Sequence, residues 1–184
     1  MATIAGAVLA AGAGTRMGRP KAELVVDGQC LLDRAVAALR DGGCESVIAV
    51  VREGTTVARA GAVVNPDPDR GMRSSLELAV DAAAGAEVLA VLLVDTPGIG
   101  ADAVRAVVAA WRPGRIAIGR YGAQRGHPTV MSPAQWRAAL ELAGPDEGAR
   151  ALLGAHPELV DEVPVGGDAT DLDTPDDLTR WGAQ

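Results

Sequence analysis

Seven consecutive apolar residues, Val88–Val94 (VLAVLLV), run without interruption and stop at Asp95. The run is too short to span a bilayer, and it lacks the apolar/polar alternation of a strand with one wet face. A segment of this kind folds as a strand covered on both sides, which calls for a parallel sheet with helices on each face. Thr3–Leu9 (TIAGAVL) and Ser46–Val51 (SVIAVV) repeat the pattern. Ala62–Val64, Ile116–Ile118 and Leu159–Val163 read as further strands.

Helical spacing fills the gaps. Cys30–Arg40 places Leu32, Ala35, Val36 and Leu39 on one stripe that ends at Gly42 and Gly43. Helices are also predicted at Ser74–Ala84, Ala101–Trp111, Pro133–Leu142 and Glu147–Ala155. A last one covers Thr174–Trp181, with Thr174 as N-cap and Pro175 at its first position. Arg120–Met131 reads as a loop or hairpin leading into a strand. The alternation predicts a single α/β domain over residues 1–184, a three-layer sandwich around a mostly parallel sheet.

Composition narrows the function classes. Apolar residues make up 48% of the chain with no Phe and one Tyr, so the core is built from small aliphatic side chains. A net charge of −7 argues against a nucleic-acid or anionic-membrane surface, since both need a basic footprint. Cys30 and Cys44 have neither CxxC spacing nor nearby His and are expected to be buried free thiols in a reducing compartment. The N-terminus lacks the basic region of a signal peptide, and the protein is expected to be cytoplasmic.

In open parallel sheets, ligands bind beyond the carboxyl ends of the strands, which selects the loops after Leu9, Val64 and Val94. The first reads Leu9-Ala10-Ala11-Gly12-Ala13-Gly14-Thr15-Arg16-Met17-Gly18-Arg19-Pro20-Lys21. Its glycines let backbone N–H groups approach an anion. The dinucleotide fingerprint fails because Met17 stands where the third glycine belongs, and no Gly-Lys-Ser/Thr run makes a P-loop. Neither pattern explains the embedded cations. Arg16 suits the β- and γ-phosphates of a nucleoside triphosphate, and Lys21, the single lysine of the chain, suits the α-phosphate.

The layout L-A-A-G-x-G-x-R-M-G-x-x-K resembles the signature of the MobA/MocA-like nucleotidyltransferases. Further segments extend the resemblance over nearly the whole chain. Asn65-Pro66 followed by Gly71-Met72-Arg73-Ser74-Ser75-Leu76 resembles the family's N-P…G-M-x-S-S-L, and Asp95-Thr96-Pro97 its D-x-P. Arg125-Gly126-His127-Pro128 is similar to its G-H-P turn. Asp146-Glu147-Gly148-Ala149-Arg150 is similar to its G-D-x-G-A-R, with Pro145 replacing the first glycine. Asp171-Leu172-Asp173-Thr174-Pro175-Asp176-Asp177-Leu178 resembles the closing D-I-D-T-P-E-D-L.

The resemblance implies a Rossmann-like fold of the nucleotide-diphospho-sugar transferase type. It implies a nucleotide site on Leu9, Ala10, Ala11, Gly12, Gly14, Asn65, Ser74 and Ser75, with Arg16 and Lys21 as catalytic cations. Mg²⁺ would be held by Asp95 and Asp173. A carboxylate at a strand's carboxyl end beside a triphosphate is a fitting Mg²⁺ ligand in its own right. Leu-Ala-Ala-Gly, rather than Leu-Ala-Gly-Gly, is similar to the cytidylyltransferase branch, which implies CTP as donor and molybdopterin carrying molybdenum as acceptor. A molybdenum hydroxylase is then the implied downstream partner. The alternatives are GTP as donor, a sugar phosphate or phospholactate as acceptor, a non-catalytic molybdenum-cofactor chaperone, and, weakest, an NAD-dependent oxidoreductase. His127 and Arg150 have no assigned role.

Overall fold

The computed structural model describes residues 2–182. Nine strands are formed: β1 (Ile4–Leu9), β2 (Val25–Val26), β3 (Gln29–Cys30), β4 (Ser46–Val51), β5 (Gly61–Val64), β6 (Val88–Leu93), β7 (Ile116–Tyr121), β8 (Gln124–Met131) and β9 (Val160–Pro164). The helices are α1 (Leu31–Asp41), α2 (Met72–Ala82), α3 (Ala101–Ala110), α4 (Pro133–Leu142), α5 (Arg150–Ala155) and α6 (Pro175–Gly182). Seven strands make one sheet in the order β5-β4-β1-β6-β8-β7-β9, and β2-β3 stands apart as a hairpin. Every pairing in the large sheet is parallel except those of β8, which runs against both β6 and β7.

The apolar runs explain the layering. Along β6, Val88, Ala90 and Leu92 enter one core with residues of α1 and α3. Leu89 and Val91 enter the other, with residues of α2, α4 and α5. Successive side chains of a strand point to opposite faces, so an uninterrupted apolar sequence feeds two cores at once. The three-layer α/β sandwich expected from the sequence is the architecture found. Trp136 of α4 is its largest fully buried side chain and donates from Nε1 to the Leu89 carbonyl at 3.0 Å.

Several boundaries differ from expectation. The helix expected at Ser74 begins at Met72 with Gly71 as its cap, without a side-chain capping bond, so Ser74 lies inside the first turn. The helix expected from Glu147 begins at Arg150. The hairpin β2–β3 escaped notice although Asp27-Gly28 carries its signal: both residues have positive φ, 51° and 75°, as a two-residue type I′ turn demands. Cys44 is buried, with its thiol pushed up to about 12 by desolvation. Cys30 is only half-buried and donates from Sγ to the Ala22 carbonyl. Both thiols are free, and no helix among the described residues is long and apolar enough to cross a membrane.

The chain leaves β1 toward β4 on one side of the sheet, and β6, on the other side of β1, leads away toward β7–β9. The carboxyl ends of β1 and β6 therefore flank the point where strand order reverses, the place where such sheets open a binding crevice.

Candidate active site

The glycine loop leaves β1 at this crevice and is held from beneath. Ala10 donates its backbone N–H to the Val50 carbonyl at 2.8 Å, and Arg52 donates from Nε to the Ala11 carbonyl at 2.7 Å. Gly14 turns the chain with φ 61°, and a Cβ there would lie 2.0 Å from the Arg19 carbonyl oxygen. A single 3-10 turn, Thr15–Met17, follows, and a second, Lys21–Glu23, sets the lysine at the crevice. Gly12 differs, since a Cβ there would meet nothing within 4 Å. Gly14→Ala is expected to cost about 1–2 kcal/mol from the left-handed backbone alone, with the carbonyl collision added. At about 2–4 °C per kcal/mol for a chain of this size, a thermal melt should fall by several degrees. Gly12→Ala, melted beside it, should stay close to wild type.

Lys21 is the centre of the site. Its Nζ donates to Asp95 Oδ2 at 2.7 Å and to Asp173 Oδ1 at 2.6 Å. The lysine and Asp95 side chains are 17% and 19% exposed, and Asp173 is 48% exposed. Burial pulls the ammonium's pKa down, but the hydrogen bonds and charges of Asp173 and Asp95 outweigh it, so the value stands above that of an ordinary lysine. The lysine is fully protonated at neutral pH. Asp95 Oδ1 is buried and has no hydrogen-bond partner among the described residues. A buried carboxylate oxygen left in that state is costly, and it marks a place for an incoming cation or donor.

Asp173 arrives from the far end of the chain through two local devices. Leu172 donates its N–H to the Asp95 carbonyl at 2.8 Å, which lays the segment across the end of β6. Thr174 and Asp177 then form a reciprocal cap on α6: the Asp177 N–H donates to Thr174 Oγ1, and the Thr174 N–H donates to Asp177 Oδ2. Capping engages Thr174 and Asp177 and leaves the Asp173 carboxylate free to face Lys21. Neighbouring Asp171, on the rim, has its carboxyl pushed up by partial desolvation and then by the charges of Asp95 and Asp173.

Two cavities meet here. The smaller, about 320 Å³, is lined by Leu9, Ala11, Gly12, Gly14, Lys21 and Asp95, together with Pro68, Asp69 and Ser75. The larger, about 550 Å³, has an apolar floor of Leu76, Ile118 and Trp136 and polar walls that include Arg125, His127 and Arg150. Leu9, Met72, Leu93 and Asp146 line both, so the two are halves of one cleft.

The sequence-selected residues divide accordingly. Leu9, Ala11, Gly12, Gly14, Ser75, Lys21 and Asp95 share the smaller cavity. Asn65, Ser74 and Ala10 do not line it. Asn65 is buried and donates from Nδ2 to Ser74 Oγ at 2.9 Å and to Ser75 Oγ at 3.0 Å, so it fixes the start of α2 from below. Ser74 Oγ is spent on the Gly71 carbonyl, as expected of a hydroxyl inside a helical first turn. Arg16 sits on the exposed turn after Gly14, 75% exposed, and approaches Asp173 Oδ2 at 3.7 Å instead of lining the cavity.

Arg52, passed over in the sequence, and Asp146 and Pro145, named there without a role, gain positions. Arg52 follows the apolar run of β4 as Asp95 follows that of β6, and a charge at a strand's carboxyl end was the signal. Asp146 stands where the two cavities join. Pro145, the departure from the G-D-x-G-A-R pattern, accepts the Arg73 N–H at 3.0 Å and lies against Gly71, where a Cβ would come within 2.4 Å of the Pro145 carbonyl oxygen.

His127 lines the larger cavity and its Nδ1 lies 3.1 Å from the Val91 carbonyl. Burial lowers its pKa, against opposing contributions from the Val91 carbonyl and Asp95, so the ring is neutral at pH 7. A carbonyl only accepts, so Nδ1 carries the proton. Arg125 is engaged by Glu162 at 2.6 Å, whereas Arg150 forms no ion pair among the described residues.

The chain is 36% identical to the nicotine blue oxidoreductase of Paenarthrobacter nicotinovorans, over 96% of this chain and 95% of the relative. It is 40% identical to a probable molybdenum cofactor guanylyltransferase of Opitutus terrae, over 64% of this chain and 60% of the relative. Among solved structures, Rv0371c of Mycobacterium tuberculosis H37Rv superposes with a TM-score of 0.85 at 25% identity, covering 100% of this chain and 99% of that one. A structure of that protein in complex with manganese superposes with a TM-score of 0.79 at 25% identity, over 98% of each chain. The family model of the MobA-like NTP transferase domain matches residues 6–160, which takes in the glycine loop, Lys21 and Asp95, and the chain belongs to that family.

Proposed function

We propose that the protein transfers a nucleoside monophosphate from a nucleoside triphosphate, CTP in preference to GTP, to a phosphorylated acceptor of the molybdopterin type. The observation that carries this reading is the Lys21 ammonium between Asp95 and Asp173 at one end of a two-part cleft. Glycine-loop amides and Lys21 bind the triphosphate in the smaller part. The acceptor lies over the apolar floor of the larger part, with Arg150 free to meet its anionic group. An acceptor phosphate oxygen attacks the α-phosphorus in line, one P–O bond forms, the bond to the β-phosphate oxygen breaks, and pyrophosphate leaves. The attacking phosphate is already ionised, so no general base is required, which fits a neutral His127. Lys21 neutralises charge that builds at the α-phosphate, and positioning supplies the remainder.

Asp95 and Asp173 suit a hard divalent cation. Two carboxylates with substrate phosphates and water form the usual Mg²⁺ donor set, and the unpartnered Asp95 Oδ1 leaves a lone pair available. No group of three or more His, Cys, Asp or Glu side chains among the described residues would hold a metal without substrate. Bound there, Mg²⁺ would offset the negative charge of the phosphates. Lys21 holds Asp95 Oδ2 and Asp173 Oδ1, so on this reading the metal enters at the unpartnered Asp95 Oδ1 and the ammonium turns toward the phosphates when nucleotide binds.

CTP is favoured because Ala11 lines the smaller cavity, where a methyl group in place of a glycine hydrogen would leave less room for a purine. The relative from Opitutus terrae is named a guanylyltransferase, so the donor is the first thing to test. Incubation with each of the four NTPs, Mg²⁺ and molybdopterin should release pyrophosphate fastest with CTP. Faster release with GTP overturns the base assignment, and tight binding without release indicates a carrier of the cofactor.

A redox reading is favoured by one observation, the relative named nicotine blue oxidoreductase that matches along 96% of this chain. Nicotinamide dinucleotides carry a pyrophosphate that a glycine-loop cavity also suits. NAD(P)H oxidation on addition of nicotine blue, with no pyrophosphate from any NTP, would select that reading. We place either activity in the cytoplasm, where two free thiols persist.

A further inference from the structure

Strand β4 lies between β1 and β5 in the sheet, and the residue after its last position is Arg52. The loops that follow β1 and β5 both line the smaller cavity, the first through Ala11 and the second through Pro68 and Asp69. Arg52 reaches both. Its Nε donates to the Ala11 carbonyl at 2.7 Å, and its Nη2 donates to the Asp69 carboxylate. The neighbouring backbone strengthens each attachment: Ala10 N–H to Val50 O at 2.8 Å, and Asn65 N–H to Val51 O at 2.9 Å. The wall bearing Asp69 is tied again by Asn65, whose Oδ1 accepts the Asp67 N–H at 3.0 Å.

From this geometry we infer that Arg52 is a positioning residue that sets the width of the nucleobase pocket and thereby its selectivity. The inference rests on the nucleotidyltransferase reading of the cleft. A planar guanidinium offers separate N–H groups at fixed angles, so its two contacts define a distance between two loops whose bases alone are tied to β4 by backbone hydrogen bonds. The Arg52 side chain is 28% exposed, while Asp69 is 79% exposed. An exposed ion pair contributes little to stability, so the Asp69 contact matters for geometry more than for folding. The Ala11 contact is the firmer anchor, because Ala11 is buried and its carbonyl accepts a charge-assisted hydrogen bond. Selectivity between pyrimidine and purine depends on pocket size, which a loosened wall would surrender.

Phosphates would occupy the end of the same cavity beside Gly14 and Lys21. Arg52 forms no hydrogen bond or ion pair with either among the described residues, although the Ala11 carbonyl it holds shares a peptide group with the Gly12 N–H. This separation supplies the test. Binding of CTP, GTP and inorganic triphosphate, each with Mg²⁺, is measured by calorimetry for wild type, Arg52→Ala, Arg52→Lys and Asp69→Ala, with a thermal melt of each. The expected wild type prefers CTP by at least tenfold. Arg52→Ala should bring that ratio to within about threefold while its affinity for inorganic triphosphate stays near wild type. Arg52→Lys, able to satisfy one loop but not both, should fail to restore the ratio. The double variant of Arg52 and Asp69 should be no less selective than Arg52→Ala alone, because one clasp is broken in each.

Equal weakening of CTP, GTP and triphosphate in Arg52→Ala would overturn the inference, since Arg52 would then only hold the loop together. An unchanged ratio in Arg52→Ala, or a wild type with no preference, overturns it as well. Wild-type protein that binds neither nucleotide overturns the nucleotidyltransferase reading, and this inference with it. A wild type that selects, beside an Arg52→Ala that selects equally well, overturns this inference alone.

Discussion

Lys21→Met should lower the rate of pyrophosphate release by about two to three orders of magnitude, the usual loss when one positioned stabiliser of developing charge is removed. Methionine keeps most of the length of the side chain and removes only the ammonium. No other lysine exists to substitute, and Arg16, exposed on its turn, lies 3.7 Å from Asp173 and outside the cavity lining. Single-turnover assays at saturating nucleotide check the effect, and a loss below tenfold would remove Lys21 from the chemistry.

The single lysine also permits a direct observation. A ¹³C-labelled lysine side chain gives one ε-methylene signal, and Mg²⁺ with nucleotide should shift it as Nζ leaves the two carboxylates for the phosphates. A signal that stays fixed through saturation would mean that Asp95 and Asp173 keep their lysine in the nucleotide complex and that Nζ does not turn to the phosphates.

Trp136→Ala should reduce stability by about 3–5 kcal/mol, the range for deleting a large buried aromatic. At about 2–4 °C per kcal/mol for a chain of this size, the melting midpoint should fall by about 10 °C. Trp136 is 1% exposed, fills the core beside Leu89 and Met131, and donates to the Leu89 carbonyl. Its removal opens a void and leaves that carbonyl without its indole partner. Trp136→Phe separates the two contributions, because it retains most of the ring volume and loses only the hydrogen bond. Calorimetric unfolding of the pair provides the measurement, and an alanine variant that melts within 2–3 °C of wild type would show that the floor repacks. Indole loss also removes part of the larger cavity's floor, so acceptor affinity should drop in the same variant.

The layers and the sheet were legible because apolar runs such as Val88–Val94 have one physical solution. Reversal of β8 was half legible: Arg120–Met131 read as a loop or a hairpin leading into a strand, and the two-residue turn at Gly122 and Ala123 makes it the hairpin. Within the site, the glycine loop, Lys21 and Asp95 could be selected from residue type and position, whereas Asp173 was selected only through the resemblance of its segment to the family's closing motif. Asn65 and Ser74 could not be told from ligand-facing groups, because the same hydroxyls and amides that suit a ribose also suit a helix start. Their assignment needed the depth at which each side chain sits. Arg52 needed strand order, because nothing in its neighbours along the chain says that β4 lies between β1 and β5.

The strap formed by Leu172 on Asp95 has a temporal consequence. The carboxylate of Asp173 is delivered by a segment synthesised well after those that carry its lysine and aspartate partners. A chain whose strap has not docked holds Lys21 against a single acid, with half of the proposed ion-holding pair absent. Competence for catalysis should therefore follow closure of this segment, and chains in which it is missing or frayed should remain inert toward triphosphates however well their sheet has formed.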